Sequence, residues 1–246
     1  QLGSHQFTHQ VGQYGVRLPT RNSREAQFRE VEKPAPKGNE VLIKIHATTV
    51  TSADGRMRSL DAPVGFGLML RLFLGFSRPR QPVLGMELAG EIESVGKSVS
   101  KFKIGDPVFA FSGSSMRMGC HAEYKCMPED GAVVLKPSSL TYDEAAAISF
   151  GGTTALDFFR RGKLQAGERV LINGASGAVG SAAVQLAKHF GADVTGVCST
   201  ANVELVHSLG TAHVIDYTKG HFYKFVTPAK AGVQFFENTG FRLLPE

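Results

Sequence analysis

Cysteine is scarce in this chain, which has three cysteines among its 246 residues. They are Cys120, Cys126 and Cys198, and no two of them form a Cys-x-x-Cys pair. An odd number without such a pair argues against a disulfide framework and against a four-thiolate zinc site. Reduced thiols fit this composition best, so we expect a cytoplasmic protein.

Long apolar runs are also missing. The stretch most similar to a membrane span, residues 64–76, is interrupted by Arg71 and is shorter than the roughly twenty residues that a spanning helix needs. No charged segment followed by an apolar one opens the chain, so we expect neither a secretory signal nor a membrane span. Residues 65–76 fit the wall of an apolar pocket and equally fit a packed helix or lid.

Blocks of one charge are absent as well. The net charge is +5, but the basic residues are spread along the sequence, which is typical of a solvated surface and gives no support to nucleic-acid binding. Hydrophobic residues make up 42% of the chain. The chain can therefore bury one sizeable core or two modest ones.

Short strand patterns separated by glycine and proline fill the first half of the chain. Val41, Ile43 and Ile45 alternate with other residues, so they share one face of a half-buried strand. Further short runs follow at residues 88–96, 106–111, 122–126 and 132–137. Closely spaced strands of this kind predict a small barrel or sandwich.

The pattern changes near residue 137. Thr141 and Glu144 have the spacing of a capping box, which predicts the start of a helix. Beyond it, strands are predicted at residues 170–173, 193–198 and 213–216, with helices at 179–190 and 204–209 between them. Two consecutive β-α-β units predict parallel pairing of the three strands.

The turn after the first of these strands is the most informative motif. In Ala175-x-Gly177-x-x-Gly180, a small first residue permits the tight turn, Gly177 lets the backbone approach a diphosphate, and Gly180 lets the helix pack closely on the strand. Strand, small residues and amphipathic helix together predict a dinucleotide site. Its predicted residues are Gly174, Ala175, Ser176, Gly177, Ala178, Val179 and Gly180.

The end of the second strand concerns the choice of dinucleotide. Sites that select NAD usually carry an Asp or Glu about twenty residues after the glycines, whereas residues 198–202 read Cys-Ser-Thr-Ala-Asn. This stretch has no acid to repel a 2′-phosphate, and Ser199, Thr200 and Asn202 are possible donors. We therefore hypothesise a preference for NADPH. The alternative is that Thr200 or Asn202 only caps a helix.

Several motifs occur together: GMELAGEI at residues 85–92, GDPVF at 105–109, AEY at 122–124, GTTA at 152–155 and the turn at 174–180. In this order they resemble the medium-chain dehydrogenase/reductase superfamily, in its zinc-free quinone oxidoreductase-like branch. The resemblance covers about residues 28–219. It implies an α/β plus β fold, with a GroES-like β-barrel catalytic domain and the first half of a Rossmann doubly wound parallel sheet, and an NADPH cleft between the two domains. The domains expected are residues 1–137, 138–226 and a non-family tail at 227–246.

The resemblance also implies roles for individual residues. Thr51, Asp54 and Arg56 should lie near the acceptor, and Thr154 corresponds to a threonine near the nicotinamide. Many relatives have asparagine at the position of Thr51. For Asp54, bracing Arg56 or Arg58 is an equally good interpretation.

Two further positions concern the 2′-phosphate. The basic residue that relatives use for this phosphate falls at Val203, and Tyr217 corresponds to a tyrosine that often stacks nearby. The missing cation weakens the NADPH hypothesis without reversing it.

The resemblance bears on metal as well. Zinc-dependent relatives carry histidine where this chain has Met86 and a catalytic cysteine where it has Thr51, and neither substitute is a good zinc ligand. We therefore expect no zinc. Without a Lewis acid, the best supported chemistry is reduction of a small electrophilic acceptor, a quinone, enone or enal. Intact relatives of this kind are expected to be homodimers.

Both ends depart from the family pattern. Residues 1–24 lack a clean first strand, and after residue 219 the expected further β-α units do not follow, so the sheet is expected to stop after its third strand. Residues 232–240 fit a shortened fourth strand; alternatively, residues 227–246 resemble peptide encoded by bacterial intergenic repeat DNA, and we favour this second interpretation. We therefore expect a C-terminally truncated chain that binds NADPH poorly and turns over slowly or not at all. The alternatives are a non-catalytic nucleotide-binding or interaction protein and an inactive gene fragment.

Overall fold

The computed structural model describes residues 14–17, 27–59, 83–113, 118–220 and 241–243, with side chains described in 30–55, 83–113 and 118–220. The apolar stretch 64–76 lies entirely outside these residues, and so does its predicted role. The chain divides into two compact units, Gln1–Ser149 and Phe150–Glu246. In the part of the chain that is described, no helix has the length and apolarity needed to cross a bilayer.

The described chain begins with two short paired strands. Strand β1 (Tyr14–Arg17) runs antiparallel to β2 (Gln27–Glu30). The expectation that residues 1–24 lack a first strand is therefore wrong at this position. Four residues are too few to display an alternating pattern, although tyrosine and valine in β1 favour extended backbone.

Five strands of the first unit form one antiparallel sheet. They are β3 (Glu40–Thr48), β4 (Glu87–Val95), β5 (Pro107–Phe111), β6 (Tyr124–Pro128) and β7 (Val133–Leu135), in the spatial order β6-β3-β4-β5-β7. Each lies within two residues of its predicted position at either end. Val41 and Ile43 are fully buried, as the alternation predicts, and pack with Leu88, Ile92 and Val108.

Two helices belong to this part of the chain. Helix α1 (Ser52–Ser59) follows β3, and α2 (Tyr142–Gly162) begins at the predicted capping box. The Thr141 N–H donates to Glu144 Oε2 at 2.8 Å, and the Glu144 N–H donates to Thr141 Oγ1 at 3.2 Å. The capping box is therefore confirmed. The division between the two units falls inside α2.

The second unit is built on a parallel sheet. Its elements are β8 (Arg169–Asn173), α3 (Ala178–His189), β9 (Asp193–Cys198), a 3₁₀ turn (Thr200–Asn202), α4 (Val203–Ser208), β10 (His213–Asp216) and β11 (Phe241–Leu243). Strands β10, β9 and β8 are parallel neighbours. Val170, Ile172, Ala183, Val184 and Val194 form the centre of its core. The predicted first half of a Rossmann-type sheet is confirmed.

A fourth strand completes the described sheet. Strand β11 pairs with the other edge of β8 in antiparallel orientation, with Phe241 opposite Ile172 and Leu243 opposite Val170. The expectation that the sheet stops after three strands is therefore wrong. A bare strand edge offers unpaired N–H and C=O groups to any extended segment, and residues 241–243 occupy this position.

Candidate functional site

The turn between β8 and α3 has the geometry that its glycines predict. Gly174 has a φ of +73°, in the left-handed region that favours glycine. At Gly180, a Cβ atom would lie 2.1 Å from the carbonyl oxygen of Gly174, so only glycine lets the helix approach the turn. Gly177 is exposed, and a Cβ there would stand 3.4 Å from the same oxygen.

The backbone donors of this turn fall into two groups. The N–H groups of Gly174 and Ala175 both donate to Val197 O at 3.0 Å, which ties the turn to β9, and the N–H of Gly177 donates to Gly174 O at 2.9 Å. Helix α3 begins at Ala178 without a side-chain cap and without an acid in its first turn. Its first N–H groups have no intrahelical acceptor and lie at the positive end of the helix dipole.

These features fit a dinucleotide diphosphate. An exposed glycine leaves the backbone open to close approach, and uncapped N–H groups at the start of a twelve-residue helix are donors for an anion. Ser176 and Val179 are half-buried and Ala178 is exposed, whereas Ala175 and Gly180 are buried, so only part of the predicted set is open to a ligand.

Thr154 is positioned by helix α2. A Cβ atom on Gly151 would lie 2.5 Å from the carbonyl oxygen of Ala178, so this part of α2 packs directly against the start of α3. Thr154 follows three residues later on the same face of the helix and is half-buried. The structure thus places Thr154 one turn of α2 beyond this close contact, and its role at the nicotinamide stays a prediction.

A hydrogen-bonded cluster lies at the carboxyl ends of β9 and β10. Thr200 Oγ1 donates to Asp216 Oδ2 at 2.7 Å, while the N–H and hydroxyl of Thr218 donate to Asp216 Oδ1 at 3.0 and 2.6 Å. Hydrogen bonds from Thr218 and then Thr200 lower the pKa of Asp216 to about 2. Asn202 Nδ2 donates to Ser199 Oγ at 3.1 Å. This cluster contains all three predicted ribose-end donors.

The position of Asp216 alters the hypothesis that Ser199, Thr200 and Asn202 donate to a 2′-phosphate with no acid nearby. Residues 198–202 contain no acid, but the ionised carboxylate of Asp216 reaches the same place from the next strand. Thr200 gives its hydroxyl hydrogen to Asp216, whereas Ser199 accepts from Asn202 and keeps its own hydrogen for a ligand. Sequence reasoning missed Asp216. The available signal was an acid at the end of a parallel strand, where the carboxyl ends of neighbouring strands converge.

Two other predicted positions belong to this edge of the sheet. Tyr217 is 53% exposed, and its N–H donates to Cys198 O at 3.1 Å; its stacking role stays a prediction. Val203 packs against the core of the unit. An apolar side chain at position 203 therefore serves the fold and supplies no cation.

Thr51 and Asp54 form a second cluster, in the first unit. The N–H and hydroxyl of Thr51 donate to Asp54 Oδ2 at 2.7 and 2.8 Å, and the Gly85 N–H donates to Asp54 Oδ1 at 3.1 Å. Asp54 is only 4% exposed. Its carboxylate caps the start of α1 and ties it to the chain before β4. The side chains of Arg56 and Arg58 lie outside the described residues.

The two positions of the first unit that correspond to zinc ligands in relatives hold poor zinc donors. Thr51 provides a hydroxyl group that is hydrogen-bonded to Asp54. Met86 provides a thioether and packs against Leu84 and Met118. Neither group is a usual zinc ligand. Burial raises the pKa of the Cys120 thiol to about 12, so this thiol stays protonated. Within the described residues, no three His, Cys, Asp or Glu side chains form a metal-binding group.

The two units match two different family models. Residues 37–138 match the family model of the alcohol dehydrogenase GroES-like domain, and residues 178–236 match that of the zinc-binding dehydrogenases. The second match reaches into the segment expected to be a non-family tail. The residue at which the family sequence ends stays a prediction. The domain boundaries expected from the sequence also stay predictions.

Similar full-length proteins are oxidoreductases by name. The chain is 38% identical over 187 residues to a quinone oxidoreductase of Sus scrofa, covering 76% of this chain and 52% of the relative. It is 36% identical over 200 residues to a 2-methylene-furan-3-one reductase of Solanum lycopersicum, covering 78% and 48%. The solved quinone oxidoreductase from Coxiella burnetii superposes with a TM-score of 0.74 at 26% identity, covering 88% of this chain and 65% of that one.

The fold and the comparisons together define a chain with a GroES-like and a Rossmann-type unit. The chain belongs to the medium-chain dehydrogenase/reductase superfamily and is a quinone oxidoreductase-like member of it. The resemblance seen in the sequence is therefore confirmed. The chain spans about half the length of the curated relatives that it matches.

Proposed function

We propose that this protein reduces quinones or activated alkenes, such as enones and enals, with NADPH and without zinc. The observation that carries the proposal is the turn between β8 and α3, with exposed Gly177 and the uncapped start of α3. The relatives named as quinone and furanone reductases support the class of acceptor.

When bound, NADPH supplies a hydride, and the acceptor takes this hydride together with one proton. In the chain itself, the first N–H groups of α3 bind the diphosphate, and Thr154 lies beside the turn. Thr51 gives its hydroxyl hydrogen to Asp54. While this bond is intact, the Thr51 oxygen can only accept a hydrogen bond, and the carbonyl group of a quinone, enone or enal has no N–H or O–H to donate one. In this arrangement Thr51 therefore neither holds the acceptor by a hydrogen bond nor donates the proton.

Zinc independence follows from the donor set. Thr51 and Met86 offer no good zinc ligand, so the acceptor must be electrophilic before it binds. Quinones, enones and enals meet this condition because their conjugated carbonyl groups make the π system electron-poor enough to accept a hydride. We also propose that the protein is cytoplasmic, as its composition indicates, and forms a homodimer, as the resemblance implies.

The test is acceptor-dependent oxidation of NADPH by the purified 246-residue chain, with a quinone and an enal as acceptors and with a zinc chelator present or absent. We expect slow oxidation that requires the acceptor and is unchanged by the chelator. A Gly177→Ala variant is the control, because its methyl group enters the open turn.

Binding of NADPH without acceptor-dependent oxidation would contradict the reductase and favour a non-catalytic nucleotide-binding protein. Loss of oxidation in the chelator, restored by added zinc, would contradict zinc independence alone.

A further inference from the structure

Lys219 lies beside the cluster at the ends of β9 and β10. Its Nζ is 3.6 Å from Asp216 Oδ2, the same oxygen that accepts the hydroxyl hydrogen of Thr200. Asp216 is 12% exposed at its side chain, whereas Lys219 is 72% exposed. Lys219 is thus attached to the cluster while most of its ammonium group faces solvent.

The other cations of this region lie elsewhere. Within the described stretch 164–220, the remaining Lys and Arg residues are Arg169 and Lys188. Arg169 opens β8, and Lys188 lies in the last turn of α3, close to Gly210 before β10. Both therefore lie at the amino ends of the parallel strands. At the carboxyl ends, where a dinucleotide binds in such sheets, the described cation is Lys219.

We propose that Lys219 is the cation that binds the 2′-phosphate of NADPH, reaching it from beside Thr200 and Ser199. This inference rests on the proposed use of NADPH. A lysine ammonium has three donors, so Lys219 can contact a phosphate while keeping its ion pair with Asp216. Lys219, which follows β10, would thus bind the phosphate that relatives bind with a basic residue at position 203.

Charge explains why such a cation is needed here. A 2′-phosphate carries about two negative charges near neutral pH, and Asp216 adds another negative charge because its pKa is held at about 2. Ser199 and Asn202 are neutral. Without Lys219, the phosphate would meet a carboxylate and neutral donors only, and the preference for it would weaken.

The test uses two small probes that report on the ribose end and require no turnover. They are adenosine 2′,5′-bisphosphate and adenosine 5′-monophosphate, titrated calorimetrically into the full 246-residue chain at low salt. The unchanged chain is expected to bind the bisphosphate more tightly. In Lys219→Ala, affinity for the bisphosphate falls about fivefold, as expected for one exposed ion pair, and affinity for the monophosphate stays the same.

Two variants serve as comparisons. Lys219→Arg keeps the positive charge and is expected to keep most of the bisphosphate affinity. Lys163→Ala removes an equally exposed lysine between α2 and β8, near the amino ends of the strands, and should change neither affinity. High salt should reduce the preference of the unchanged chain and have a smaller effect on Lys219→Ala.

The outcomes separate this inference from the proposed function. If the unchanged chain prefers the bisphosphate and Lys219→Ala retains that preference, the role of Lys219 is wrong and NADPH preference stands. Equal loss of both affinities in Lys219→Ala also contradicts the role of Lys219, since it indicates a general structural effect. If the unchanged chain binds both probes equally, both NADPH preference and the role of Lys219 are wrong.

Discussion

At the scale of single residues, Asp54 shows how a carboxylate near a predicted acceptor site is used by the fold. Both of its oxygens accept hydrogen bonds, from Thr51 on one side and from the Gly85 N–H on the other. A buried carboxylate occupied in this way holds the start of α1 against the chain before β4. In this arrangement Asp54 serves the fold and also occupies the hydroxyl hydrogen of Thr51.

Replacing Asp54 by alanine should destabilise the first unit. The change removes the cap of α1 and leaves the Gly85 N–H without its acceptor, which together cost about 2 kcal/mol in the free energy of unfolding. Asp54→Asn keeps one acceptor oxygen and should cost less. Urea unfolding of the variants measures both effects.

Asp130→Ala is the matched control, because Asp130 lies exposed in a turn of the same unit. It should change the free energy of unfolding by less than about 0.5 kcal/mol. An Asp54→Ala variant as stable as the original chain would show that the capping role is wrong.

The candidate site residues were predictable where one local motif determines them. The glycine turn follows from local spacing, since Gly174 and Gly180 each answer a steric requirement within seven residues of chain. The bond between Thr200 and Asp216 was not predictable in this way. It depends on the register that sets Asp216 opposite Cys198, and register between separate strands depends on packing of the whole sheet.

At the scale of elements, β8, the turn and α3 are held together as one strand-turn-helix motif. The turn is tied to β9 through Val197 O, and α3 is held against the turn by the close approach at Gly180. The first turn of the helix therefore has a fixed position relative to the strand ends. A diphosphate can use that position without rearrangement of the backbone.

Replacing Gly180 or Gly177 by alanine should affect two different properties, stability in the first variant and NADPH affinity in the second. In Gly180→Ala, the new methyl group meets the backbone oxygen of Gly174, which has no rotamer to relieve the contact, so we expect a loss of about 1–3 kcal/mol in stability. In Gly177→Ala, the contact is an ordinary one at 3.4 Å. Stability should be retained, while NADPH affinity falls about tenfold through loss of a close backbone contact.

Thermal unfolding and NADPH fluorescence titration of both variants make the comparison. A Gly177→Ala variant with unchanged NADPH affinity would contradict placement of the diphosphate at this turn. An equally stable Gly180→Ala variant would contradict the packing argument alone.

Elements were predicted best where apolar runs are bounded by glycine. Strands at 193–198 and 213–216 were placed at the observed residues. Strands β1 and β11 were missed because three or four residues carry almost no periodic signal. Strand β11 pairs through backbone groups at the free edge of β8, and such pairing depends little on the residue types involved.

At the scale of the whole molecule, the two units carry different parts of the predicted chemistry. The first holds Thr51 and Asp54, and the second holds the glycine turn, Thr154 and the cluster around Asp216. Each unit has its own hydrophobic core. The cofactor claim therefore depends on the second unit alone and can be tested without knowledge of the acceptor.

The most direct test of the cofactor claim is a comparison of NADPH and NADH binding to the 246-residue chain, by titration at low salt. The two ligands differ only in the 2′-phosphate, so the ratio of their dissociation constants isolates the ribose end. We predict that NADPH binds at least about fivefold more tightly. Equal affinity for the two ligands, or tighter binding of NADH, would contradict the account.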